Sequence, residues 1–241
     1  MKARIITGNK GGVGKSFVTI MLADYLLRHD KEFIVGDAEM ATGQATTWNV
    51  MRKYVDDNAI KTWKLGTPEG YETLTDDLQR LAQGKKQSTL IIDTGASMMD
   101  SLTTNLAFLS EAQADLGVDV GVVFVAGPLP DTQVAAREYL RAQKELEKPL
   151  KTVFLLISPT EREQGAYAIA QDKKIQAAIP ELNGTSLFLG PIRQEYFDSI
   201  MKEFRLPYAI LKNTEEGYGF KKKLHMWLAA TFDPIAAAIL E

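Results

Sequence analysis

Short, almost uninterrupted apolar runs recur along the chain. Between them lie longer stretches in which apolar positions return every three or four residues. The runs Leu90-Ile91-Ile92, Val122-Val123-Phe124-Val125 and Val153-Phe154-Leu155-Leu156-Ile157 show no polar alternation. Such strands are covered on both faces, as in parallel sheets. The pattern predicts strands over 2–7, 32–36, 61–65, 88–92, 118–126, 151–157 and 185–190. Helical spacing predicts helices near 15–29, 69–83, 98–113, 132–147, 161–178 and 193–204. Short strands alternating with longer helices imply βαβ units with right-handed crossovers. The expected fold class is α/β: a doubly wound, mostly parallel sheet flanked by helices, with ligand bound at the carboxyl ends of its strands. Gly84-Lys85-Lys86-Gln87 is too short to separate domains and reads as a helix-to-strand turn, so 1–241 is expected to be a single domain.

Composition narrows the function. The apolar fraction of 45% and charged fraction of 24% are those of an ordinary globular protein. A net charge of −3 lends no support to nucleic-acid binding by the chain as a whole, so any basic surface must be local. The absence of cysteine excludes disulfides, iron–sulfur ligation and a thiol nucleophile. His29 and His225 stand far apart, and no metal-ligand cluster is spaced along the chain. Met1-Lys2-Ala3-Arg4 leads directly into the first strand without a secretory signal, and no apolar run is long enough to span a bilayer. A cytoplasmic location is the expectation.

The densest chemistry is Gly8-Asn9-Lys10-Gly11-Gly12-Val13-Gly14-Lys15-Ser16, between the first strand and the first helix. Strand, glycine-rich turn and helix form the setting of a phosphate-binding loop. Glycines let successive backbone N–H groups curl toward one point, and the helix N-terminus adds partial positive charge. Gly11, Gly12, Val13, Gly14, Lys15, Ser16 and Phe17 are the candidate nucleotide contacts. Lys15 is placed to reach the β- and γ-phosphates, and the Ser16 hydroxyl to bind Mg²⁺. The implied cofactors are ATP and Mg²⁺, and the implied architecture is the P-loop NTPase fold.

The run Lys10-Gly11-Gly12-Val13-Gly14-Lys15-Ser16 closely resembles the deviant Walker A box of the ParA/MinD family of ATPases. The resemblance implies that Lys10 crosses a dimer interface to the phosphates held by the other subunit, making ATP the glue of a symmetric homodimer. Opposed triphosphates repel, and a lysine from each side offsets that repulsion.

Two acidic motifs follow. Phe33-Ile34-Val35-Gly36-Asp37-Ala38-Glu39 ends a strand in two carboxylates whose i, i+2 spacing directs both toward one region in extended backbone. By resemblance, Asp37 holds Mg²⁺ through water and Glu39 orients the attacking water. The family pattern has aspartate at the second position and often proline next. Here Glu39 and Met40 stand instead, a difference that bears on hydrolysis rate because phosphoryl transfer depends on positioning. The segment Thr42-Gly43-Gln44-Ala45-Thr46-Thr47-Trp48 loosely resembles the first switch. Thr89-Leu90-Ile91-Ile92-Asp93 is a Walker B pattern that delivers Asp93 to the Mg²⁺ shell, and Thr94-Gly95 resembles a second switch.

Later signals are softer. Asp131 reads as the N-cap of helix 132–147. By resemblance, Ser158-Pro159 and Gly190-Pro191-Ile192-Arg193 lie near the base. The run Phe220-Lys221-Lys222-Lys223-Leu224-His225-Met226-Trp227-Leu228 is basic with apolar residues interspersed. It suits a packed solvated helix, a phosphate-backbone contact or a membrane surface. With no DNA-reading helix-turn-helix before the loop, sequence-specific binding is not expected. The resemblance is specific over roughly the first hundred residues. It implies a slow, ATP-switched, dimerising ATPase that positions plasmid or chromosomal DNA through non-specific DNA contacts and a stimulating partner protein, with a membrane partner disfavoured. The alternative is a MinD-like organiser or conjugative-transfer accessory ATPase acting through protein or membrane partners without DNA. A kinase or synthetase on the same fold would need an acceptor pocket for which no motif is present.

Overall fold

The computed structural model describes residues 1–9, 11–38, 46–84, 88–95, 98–157 and 167–241. Among them seven strands form one sheet: β1 Lys2–Thr7, β2 Phe33–Asp37, β3 Ile60–Thr62, β4 Thr89–Asp93, β5 Asp119–Ala126, β6 Lys151–Ile157 and β7 Thr185–Leu189. Their order is β3-β2-β4-β1-β5-β6-β7, and every pairing is parallel. Successive side chains alternate between faces, so the continuous apolar runs supply two cores at once. Ile5, Ile92 and Val122 enter one buried cluster, whereas Ile6, Ile91 and Val123 enter the other.

Helices cover both faces. On the first lie α3 Pro68–Gln83, α4 Met99–Thr104, α5 Leu106–Leu116, α6 Asp131–Lys144, α7 Ala168–Gln171 and α8 Lys173–Glu181. On the second lie α1 Lys15–Arg28, α2 Thr46–Met51, α9 Gln194–Met201, α10 Pro207–Lys212, α11 Tyr218–Trp227 and α12 Asp233–Leu240. The chain leaves β1 toward the β2–β3 edge and leaves β5 toward the β6–β7 edge. The carboxyl end of β1 therefore sits where the winding reverses, the usual ligand crevice of such sheets.

Each expected strand is found, with β3 at 60–62 instead of 61–65. The helices differ more. The expected helix 98–113 is two helices meeting at Asn105. There the Thr103 and Thr104 hydroxyls donate to the Met99 and Asp100 carbonyls, and the Asn105 amide donates to the Ser101 carbonyl. Such back-bonding competes with a continuous helix. The described part of 161–178 is likewise split at Asp172. This residue caps α8 by accepting from the Lys174 and Ile175 amides. Asp131 is not the N-cap of α6: Pro130 precedes the helix, and Asp131 lies in its first turn, beside the positive helix end. The expected turn at 85–87 lies outside the described residues. The short helices α2, α10 and α12 had no expected counterpart.

The C-terminal helices are anchored to the start of the chain. Arg4, 1% exposed in the central strand, donates from Nε to the Ile239 carbonyl at 2.7 Å and pairs with Asp119 at 2.7 Å. Arg28 at the end of α1 bridges buried Asp24 at 2.7 Å and Asp233 of α12 at 2.6 Å. Asp24 also accepts the Tyr208 amide of α10 at 2.7 Å.

Candidate phosphate-binding site

The loop from Gly8 to Gly14 leaves the carboxyl end of β1 and enters α1. Gly8 is required by close approach, because a Cβ there would lie 2.6 Å from the Val125 carbonyl oxygen of β5. Gly12 and Gly14 adopt φ of 76° and 101°, a region that side chains disfavour. Gly14 caps α1 without a side-chain hydrogen bond, and the first turn carries no acid. The positive end of the helix thus carries no side-chain cap and no acid of its own first turn. Lys15 is buried at its start, while Gly11 and Gly12 are exposed. Phe17, expected among the nucleotide contacts, turns its ring into the core against Phe197, centroids 5.6 Å apart, so only its backbone is available to a ligand.

Asp37 and Asp93 are register partners on neighbouring strands, each 1% exposed. One short helix holds both. The Thr47 hydroxyl of α2 donates to Asp93 Oδ2 at 2.6 Å, and the Trp48 amide donates to Asp37 Oδ2 at 3.0 Å. Burial pushes the Asp93 carboxyl up to about 7. Hydrogen bonds from Thr47 and Ser16 oppose the rise, the Asp37 charge adds to it, and the Lys15 charge opposes it. Asp93 Oδ1 is buried without a hydrogen-bond partner. A buried carboxylate oxygen without a hydrogen-bond partner among the described residues, beside a second carboxylate and a serine hydroxyl, is a hard-oxygen donor set. It fits Mg²⁺, which takes one or two carboxylates and completes its shell with water and phosphate. No group of three or more acidic, histidine or cysteine side chains that could hold a metal ion occurs among the described residues.

Of the expected site residues, the structure gathers Gly11, Gly12, Val13, Gly14, Lys15, Ser16, Asp37 and Asp93 at the carboxyl ends of β1, β2 and β4. Thr94 is fixed there by its hydroxyl on the Ile6 carbonyl at 2.9 Å. Lys10, Glu39, Met40, the segment 42–45 and Ser158-Pro159 lie outside the described residues. No sequence motif assigns the roles of Thr47 and the Trp48 amide. The only trace of them in the sequence is the loosely matched polar segment ending in tryptophan.

A glycine loop after the central strand of an all-parallel sheet, opening a helix next to two strand-end carboxylates, decides the architecture. The chain has the P-loop NTPase fold. No family model matches it. Among curated proteins, this P-loop chain is similar to Protein MobD of Acidithiobacillus ferrooxidans, 22% identical over 196 residues that span 81% of this chain and 80% of that protein. Solved structures of similar fold include ParA/MinD-type ATPases. One is the MinC:MinD cell division complex of Aquifex aeolicus, 16% identical over 86% of this chain and 87% of that one, TM-score 0.48. Another is the Cyanothece McdA(D38A)–ATP complex, 12% identical over 95% of each chain, TM-score 0.46. At these identities the likeness is one of fold.

Proposed function

We propose that residues 1–241 act as a single ParA/MinD-type ATPase domain. It is an ATP–Mg²⁺-dependent switch that dimerises around nucleotide, turns over slowly and positions DNA. The observation that carries this reading is the pairing of Asp37 and Asp93 under one short helix beside an uncapped helix N-terminus. In this reading the amides of Gly11 to Phe17 cradle the phosphates, and Lys15 reaches the β- and γ-phosphates. Ser16, Asp37 and Asp93 would hold Mg²⁺, Asp37 through water. The metal, when bound, offsets charge on the transferring phosphoryl group. Glu39 orients water, and Lys10 reaches across to the partner's nucleotide. Leu129 and Val134, exposed after β5 on the same strand-end side as the loop, supply apolar surface for that dimer face.

For DNA, the exposed Lys222 and Lys223 of α11 are the candidate phosphate contacts, whereas Lys221 is engaged with the Asn213 carbonyl at 2.9 Å. A second reading rests on Tyr218 and Met226, exposed at 76% and 59% on the same helix. Cations interleaved with exposed apolar groups also suit a membrane surface or protein partner, the setting of a MinD-like organiser or conjugative-transfer accessory ATPase. No helix among the described residues is long and apolar enough to cross a membrane.

Titration with ATP and Mg²⁺ tests the core of the reading. The wild type is expected to bind, and Lys15→Ala to lose binding. Tight binding by Lys15→Ala would refute the loop assignment. Anisotropy with duplex DNA and flotation with anionic vesicles, each with and without ATP, separate the two readings of α11.

A further inference from the structure

A wide cavity lies at the opposite end of the sheet from the phosphate loop. It occupies about 1010 Å³ below the amino ends of β2 and β4, where Phe33 and Ser88 line it. Lys31, Arg52, Lys53 and Arg80 rim it, all exposed. Only Arg80 of these four has a carboxylate partner among the described residues, Asp77 at 3.0 Å. Lys53 stacks over the Phe204 ring at 4.9 Å and keeps its charge available. Against these four cations the described residues of the lining offer two carboxylates, Glu32 and Asp56. Between the charges, Phe33, Val55 and Leu81 supply apolar surface.

We propose that this groove docks an acidic protein segment carrying spaced apolar side chains. The cations match its carboxylates, and the apolar lining matches its hydrophobic residues. A nucleic-acid backbone would satisfy the cations and leave the apolar lining unused, because phosphates track a basic surface. The groove lies at least the length of a five-residue strand, about 15 Å, from the nucleotide face, so dimerisation through the loop leaves it open.

The wall of the groove is continuous with the helix that holds the site carboxylates. α2 begins with Thr47 and Trp48 on Asp93 and Asp37 and ends at Met51. Its turns run on without a break into Arg52–Val55, whose amides bond back to Trp48, Val50 and Met51. A nucleotide-dependent shift of α2 would move Arg52 and Lys53, and a docked segment would bias α2 in return. Docking stands independently of the proposed nucleotide chemistry, and the coupling rests on it.

Fluorescence anisotropy tests both. The probe is a fluorescein-labelled peptide of glutamates with spaced leucines. The competitors are the same peptide with serine for leucine and a short DNA duplex. The leucine peptide is expected to bind the nucleotide-free protein. Binding should weaken about tenfold in Arg52→Glu/Lys53→Glu and several-fold in Lys31→Glu, which sits on a separate segment. No binding, or unchanged affinity in both variants, would overturn the proposal. So would equal competition by the serine peptide, which would show that charge alone is read, or by the duplex, which would assign the groove to nucleic acid. Adding a non-hydrolysable ATP analogue should shift the peptide affinity in the wild type and leave it unmoved in Lys15→Ala. Equal affinity with and without the analogue in the wild type would overturn the coupling through α2 while leaving the docking intact.

Discussion

At Asp93, burial and hydrogen bonding pull in opposite directions. Removal from water favours the neutral carboxyl, while the Thr47 and Ser16 hydroxyls favour the charged one. Thr47 donates to it at 2.6 Å and is itself fully buried. Thr47→Ala would leave an acceptor without its donor, so a loss of about 2 kcal/mol is expected in urea unfolding, with Thr47→Ser restoring most of it. A Thr47→Ala protein as stable as wild type would mean that solvent replaces the hydroxyl. Asp37 and Asp93 were legible because each ends an apolar strand. Thr47 was not, because its partner stands 46 positions away and its local sequence, rich in β-branched residues, gives no strong helix signal. The Glu39 and Lys10 roles remain those that the loop's resemblance implies.

Helix α1 is held at both ends by different chemistry, the glycine loop at its start and the Asp24–Arg28–Asp233 group near its end. Burial raises the Asp24 carboxyl from 3.8 to about 6, against the lowering effect of Arg28 and the Tyr208 amide. A raised carboxyl value means that the folded state holds the proton more tightly than the unfolded chain. This group therefore favours the native state below about pH 4 and loses that contribution as pH rises through 6. Between about pH 7 and 5, wild-type stability should rise relative to Asp24→Asn by about 1 kcal/mol, read from paired denaturant titrations. A constant difference across that range would place the Asp24 titration elsewhere. The helices over α1, α3 and α6 were legible from their spacing, and the breaks at Asn105 and Asp172 were not. Both breaks depend on side chains bonding to backbone groups, a choice that periodicity does not encode. The six-residue α2 and α10 are too short to establish a period.

For the whole molecule, the sheet was the most legible feature, because doubly covered strands must be apolar throughout. The order of the strands is written in no residue pattern, because right-handed winding sets the hand of each crossover and not which strands become neighbours. Assembly belongs to this scale as well. Lys10→Ala is expected to keep ATP binding by the monomer and to lose ATP-dependent dimers in light scattering. A dimer that persists would make Lys10 ordinary surface. The cavity under β2 and β4 sits far from the motif-rich end, and no motif points to it. Its cations come from three separate stretches of chain, around Lys31, around Arg52 and at Arg80, that only folding brings together.

The buried guanidinium of Arg4 reaches a carbonyl 235 positions further along the chain. During synthesis the first strand leaves the ribosome long before that carbonyl exists, and a cation without its acceptor resists removal from water. Asp119 gives the guanidinium a first partner, and the Ile239 carbonyl satisfies Nε once α12 docks. Docking of α12 therefore completes the shell of a side chain in the strand that leads into the glycine loop, and the early and late parts of the sequence consolidate together.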